Sequence, residues 1–120
     1  MVLVPFVARR NFLSNLICEL IGELRDQRAL TGLVATLSDD DWRVRELVVW
    51  ALSEMKDARA VTVLCNVLLS ETRIEVRRGA AQALGEIRSA EALPALRQAL
   101  NDRETGVSAK AAWAISEIEG

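Results

Sequence analysis

The feature that most constrains this chain is an internal repeat. Residues 42–55, WRVRELVVWALSEM, return as residues 74–87, IEVRRGAAQALGEI, and again as residues 105–118, TGVSAKAAWAISEI, at offsets of 32 and 31. A further 31 places back, Leu13, Ile17, Leu20, Ile21, Gly22, Glu23 and Leu24 fall on the same template, so a more divergent fourth copy opens the chain. A fixed period of this length marks a supersecondary unit too small to bury its own apolar face. Neighbouring units must therefore stack and share one core.

Each copy carries two apolar stripes. Val44, Leu47, Val48, Ala51, Leu52 and Met55 are spaced three, one, three, one and three apart, which places them on one face of a helix. A second stripe follows a short polar turn: Ala60, Val61, Leu64 and Leu68 in one copy, Ala92, Leu93, Leu96 and Leu100 in the next, Ala29, Leu30, Leu33 and Leu37 before them. Ser38-Asp39-Asp40-Asp41, Ser70-Glu71-Thr72 and Asn101-Asp102 separate the copies and supply helix-capping oxygens. The expected fold is all-α, a superhelix of about four two-helix repeats. At 120 residues it forms one domain: a divergent cap or half-repeat over 1–11, repeats at 12–38, 39–69 and 70–101, and the first helix of a truncated repeat at 102–120. Val49, Ala81, Ala112 and Cys18 share one small-residue column, and Ser53, Gly85, Ser116 and Gly22 share another, as close helix contact between layers requires.

Composition narrows the chemistry. The chain has no His, which removes histidine general bases, Ser-His-Asp and Cys-His nucleophile systems and histidine metal sites. Cys18 and Cys65 lie 47 residues apart without a CxxC, so both read as small buried hydrophobes, and no metal or cofactor is expected. No glycine-rich nucleotide cradle occurs. With 17 acidic and 15 basic residues the net charge is −2, which disfavours nucleic acid as a partner. The opening MVLVPFVARR lacks a cation before its apolar run and contains Pro5, unlike a signal peptide, and no stretch reaches membrane-span length. The expected location is the cytoplasm, with no membrane contact.

The acidic cap, then Val44-Arg45 or Val76-Arg77, then Ala80-Ala81-Gln82-Ala83-Leu84-Gly85-Glu86-Ile87, then Leu96 and Leu100, resembles HEAT-like repeats, in particular the short kind of phycobiliprotein lyases. The resemblance covers about residues 12–120 and implies an α-α solenoid whose second helices line the concave face. It leaves several functions open, since similar repeats serve scaffolds, chromophore lyases, DNA-lesion glycosylases and a metal-dependent hydroxylase. The hydroxylase branch, which the resemblance ties to His-Glu pairs for iron, looks closed to a chain without His.

The expected function is a non-catalytic protein-protein interaction scaffold, not an enzyme, with a protein partner or a second copy of the chain bound. The alternatives are an accessory subunit of a phycobilin lyase-like system and a HEAT-like DNA-lesion-binding protein. The candidate partner face joins the column of Trp50 and Trp113, whose other members are Gln82 and Glu19, to the outward second-helix positions Thr62, Val63, Asn66, Ala95 and Gln98. Val107, Ala111, Ile115 and Ile118 form a stripe without its in-repeat partner, the expected oligomer face. Trp42 is expected to pack between repeats. Glu23, Glu54, Glu86 and Glu117 run beside Arg25, Lys56 and Arg88 as a candidate ion-pair lacing, and Arg45 and Arg77 are expected to pair with cap acids such as Asp40, Asp41 or Glu71.

Overall fold

The computed structural model describes residues 27–120. The expectations for residues 1–11, Cys18, Glu19, Gly22, Glu23 and Arg25 lie outside the described residues. Six α-helices follow in order: α1 (Gln27–Thr36), α2 (Trp42–Met55), α3 (Val61–Ser70), α4 (Ile74–Ile87), α5 (Leu93–Ala99) and α6 (Thr105–Glu119). Among the described residues there is no strand.

The helices begin and end where side-chain chemistry dictates. Asp41 accepts a 3.0 Å hydrogen bond from the Arg43 amide and caps α2. Both α2 and α4 end on a left-handed residue, Lys56 at φ 50° and Arg88 at φ 59°, and the amide of each bonds back into its helix. The chain then turns sharply through one 3₁₀ turn, Ala58–Ala60 or Ala90–Ala92, into the next helix. Asp57 caps the first of these turns through a 2.9 Å bond from the Arg59 amide.

The first helices α2, α4 and α6 pack in succession as one layer. The second helices pack forward: α1 lies against α2, α3 against α4 and α5 against α6, with α3 also touching α5. The two apolar stripes meet between the layers, where Leu52, Leu64, Leu68, Leu84, Leu96, Val49, Val61, Val76 and Val107 are fully buried. Burying a side chain of this size contributes about 1.5–3 kcal/mol each before conformational entropy is counted against it.

Forward packing corrects one expectation. Val107 and Ala111 are completely buried, and Ile115 and Ile118 are half-buried against the core, so this stripe is not an open face. It is covered by α4 and α5 of the preceding repeat, and the exposed side of α6 carries Ala109, Ala112 and Ser116 instead.

Arginines tie the turns together. Arg45 grips Glu71 with two nitrogens, at 3.0 and 2.7 Å, and also donates to the carbonyls of Asp39 and Asp40. Arg77 repeats the device one unit later, on Asp102 at 3.0 and 3.3 Å and on the carbonyls of Glu71 and Thr72. Ser108 stands in the third copy, where the device stops. Of the expected Glu–cation lacing, the described residues form Arg88–Glu117 at 2.8 Å. Trp42 does join two repeats, its ring lying under the Arg73 guanidinium at 4.3 Å.

These pairs set the acid limit of the fold. Burial pushes the carboxyls of Glu71 and Asp102 up, but Arg45 and the Arg73 amide on Glu71, and the Glu104 amide and Arg77 on Asp102, together outweigh it, so both sit below their ordinary values. Hydrogen bonds from Arg43 and Arg59 lower Asp41 and Asp57 in the same direction. A carboxyl lowered by folding contributes stability above its unfolded pKa, about 4, and loses it as pH falls through the folded value. The melting temperature is therefore expected to hold down to about pH 5 and to fall below about pH 4. A Glu71→Gln, Asp102→Asn double variant should melt lower at neutral pH and show a flatter acid limb; parallel profiles for the two proteins would count against these links.

Candidate functional site

A groove of about 320 Å³ runs along the second-helix layer between α3 and α5. Residues 62, 65, 66 and 69 of α3 recur at three, one and three, so Thr62, Cys65, Asn66 and Leu69 form one wall. Pro94, Ala95 and Gln98 of α5 form the other, and Glu91 of the preceding 3₁₀ turn closes one end. Pro94 in the first turn of α5 fits there because the first amides of a helix have no intrahelical acceptor. A second hollow of about 480 Å³ continues from Leu69 and Gln98 towards Arg77, Asp102 and Arg103. The two share Leu69 and Gln98, and the far hollow is lined by charges of both signs, Glu71, Asp102 and Glu104 beside Arg77 and Arg103.

The groove holds one thiol and one carboxylate at its near end. Burial, with the charge of Glu91, pushes the Cys65 thiol up, so it stays protonated at neutral pH. Glu91 lies exposed beside it.

Four of the sequence-derived contact residues, Thr62, Asn66, Ala95 and Gln98, meet in this groove, while Val63 points elsewhere and is half-buried. Sequence reasoning placed Cys65 in the core and passed over Glu91 and Leu69. The i, i+3, i+7 spacing from Thr62 to Cys65 and Leu69 carried the signal for two of them. The tryptophans lie on the other layer and part company. Trp113 packs against the core with Lys110 Nζ 5.0 Å over its ring, whereas Trp50, also partly buried, walls a separate cleft between α2 and α4.

The model of HEAT repeats matches residues 14–78 and 62–120, nearly the whole chain. This chain belongs to the HEAT repeat family. Its HEAT repeats are 43% identical over 51 residues to the bilin biosynthesis protein PecE of Nostoc sp., covering 42% of this chain and 20% of that protein. They are 32% identical over 93 residues to human deoxyhypusine hydroxylase, covering 76% of this chain and 30% of the hydroxylase. The solved structure of human deoxyhypusine hydroxylase in complex with glycerol superposes with a TM-score of 0.80 at 27% identity, over 97% of this chain and 39% of the other. The chain thus spans less than half the length of each relative.

These matches overturn two expectations. A non-catalytic scaffold that is not an enzyme conflicts with kinship to deoxyhypusine hydroxylase in both sequence and structure. The hydroxylase branch is also not remote, as the missing histidines suggested; what the chain lacks is the ligand set. An iron centre of His-Glu pairs does not fit these residues, because the sequence has no His and, among the described residues, no group of three or more His, Cys, Asp or Glu is placed to hold a metal ion. Among the described residues no helix is long and apolar enough to cross a membrane.

Proposed function

We propose that this HEAT-repeat chain belongs to an enzyme that acts on a linear tetrapyrrole of the bilin type, and that the α3/α5 furrow is the seat of that ligand. The observation that carries the reading is the 43% identity to a bilin biosynthesis protein. The furrow's chemistry supports it. A bilin offers flat apolar faces and two carboxylate side chains; Leu69, Pro94 and Ala95 suit the faces, and Arg103 in the adjoining hollow suits a carboxylate. The expected setting is the cytoplasm, and the expected protein partner is the carrier of the chromophore.

Titrating the chain into biliverdin, read by visible absorbance and induced circular dichroism, tests the reading. A saturable change is expected, weakened about tenfold in Arg103→Glu through loss of a charge-assisted contact and abolished in Ala95→Trp, which fills the groove. No saturable change, together with retention of a protein carrying a deoxyhypusine side chain, would overturn it in favour of a hydroxylase-like role.

A further inference from the structure

Two carboxamides line the α3/α5 groove, one on each wall: Asn66 on α3 and Gln98 on α5. They stand 32 residues apart and share a repeat column, whose member in α1 is Ala35. Both are exposed, and neither side-chain amide makes a hydrogen bond among the described residues. The 2.6 Å bond from Ser70 Oγ goes to the backbone carbonyl of Asn66 and leaves its side chain unused. The fold does not ask for an amide in this column. Ala35 fills the place in α1, and alanine is the better helix former, above all against asparagine, whose side chain competes for backbone hydrogen bonds.

A carboxamide presents an acceptor oxygen and N–H donors side by side. That edge is the complement of a lactam, in which the ring holds N–H and C=O cis to one another, so two hydrogen bonds form together. A bilin carries one lactam on each of its two terminal rings and none between them. A closed tetrapyrrole has the same flat apolar faces and can bear the same propionates, but it has no lactam. Leu69, Pro94 and Ala95 beside the two amides supply the apolar surface against which such a ring lies. Gln98 also lines the adjoining hollow that holds Arg103, which sets the amides next to a cation for a propionate.

We propose that Asn66 and Gln98 bind the terminal lactams of the bilin and so set the preference of the groove for an open tetrapyrrole over a closed one. Given a tetrapyrrole in this groove, on which the assignment rests, the apolar walls and Arg103 serve both kinds of ligand alike, and the two amides discriminate between them. Each hydrogen bond replaces one to water, so the pair contributes about tenfold to affinity. A porphyrin receives none of that gain.

The test is titration of the full chain with biliverdin and, separately, with protoporphyrin IX, which carries two propionates but no lactam, both followed by visible absorbance. The parent is expected to bind biliverdin about tenfold more tightly than the porphyrin. The Asn66→Ala, Gln98→Ala pair repeats the residue that α1 already holds in this column, so its far-ultraviolet circular dichroism should match the parent's. It should weaken biliverdin about tenfold, leave the porphyrin unchanged and erase the margin between them. Arg103→Glu should weaken both ligands and keep the margin. Biliverdin binding that the alanine pair leaves unchanged, or weakens no more than it weakens the porphyrin, would overturn the lactam assignment while the tetrapyrrole reading stands. No saturable binding of biliverdin by the parent would overturn both.

Discussion

Replacing Leu84 with Ala is expected to lower the free energy of unfolding by about 2–5 kcal/mol. Leu84 is fully buried in α4, and α4 is the helix that touches α2, α3 and α6 at once. A cavity opened there is bounded by rigid elements on every side and has little room to collapse, which puts the cost towards the upper part of the range. For a domain of this size a loss of about 3 kcal/mol lowers the melting temperature by about 10–15 °C. Urea and thermal unfolding followed by far-ultraviolet circular dichroism measure both quantities. A loss below about 1 kcal/mol would mean that the layers close over the gap and that packing around α4 is looser than described.

The second large effect concerns two glycines with opposite outcomes. Gly85→Ala places a methyl 2.5 Å from Trp113 Cζ3 and 3.0 Å from the backbone of Ala114, so α4 and α6 must separate or the indole must leave its place. Overpacking of this kind costs about 1–3 kcal/mol, more than the 0.5–1 kcal/mol that alanine returns in a helix. Gly32 lies in α1 with nothing within 4 Å of its would-be Cβ, so Gly32→Ala should stabilise by about 0.5–1 kcal/mol. Chemical denaturation of the two variants beside the parent gives the sign directly. Stabilisation by both would show that Trp113 yields freely and that the α4/α6 contact does not depend on a missing side chain.

The repeat made the architecture legible before any coordinate. The stripes at Val44 to Met55 and Ala60 to Leu68 specify α2 and α3, and the columns of Val49, Ala81 and Gly85 mark the helix contacts, because periodicity and close approach are properties of residue spacing and size. The face of α6 was misjudged for a definite reason. Sequence order suggests that a first helix is covered by its own second helix, whereas here each second helix packs on the first helix that follows, so Val107 and Ala111 were already covered from behind. Half of the groove was legible in Thr62, Asn66, Ala95 and Gln98. Cys65 was not, because a cysteine at the edge of an apolar stripe has the same spacing whether it faces a core or a groove. The close seat of Trp113 depends on Gly85, where a Cβ would stand 2.5 Å from the indole, a contact visible only once the ring is placed. Kinship to an enzyme was the least legible property, since the absence of histidine argues about ligands and is silent about ancestry.

The arginine links of Arg45 to Glu71 and Arg77 to Asp102 also bear on how this molecule comes apart. In a linear array the free energy divides into terms for each unit and terms for each junction, and a link that spans a junction adds to the second kind. Two successive junctions carry one. Removing the Arg77–Asp102 link should then loosen the junction it spans, with the amides of α6 exchanging with solvent deuterium sooner than they do in the parent.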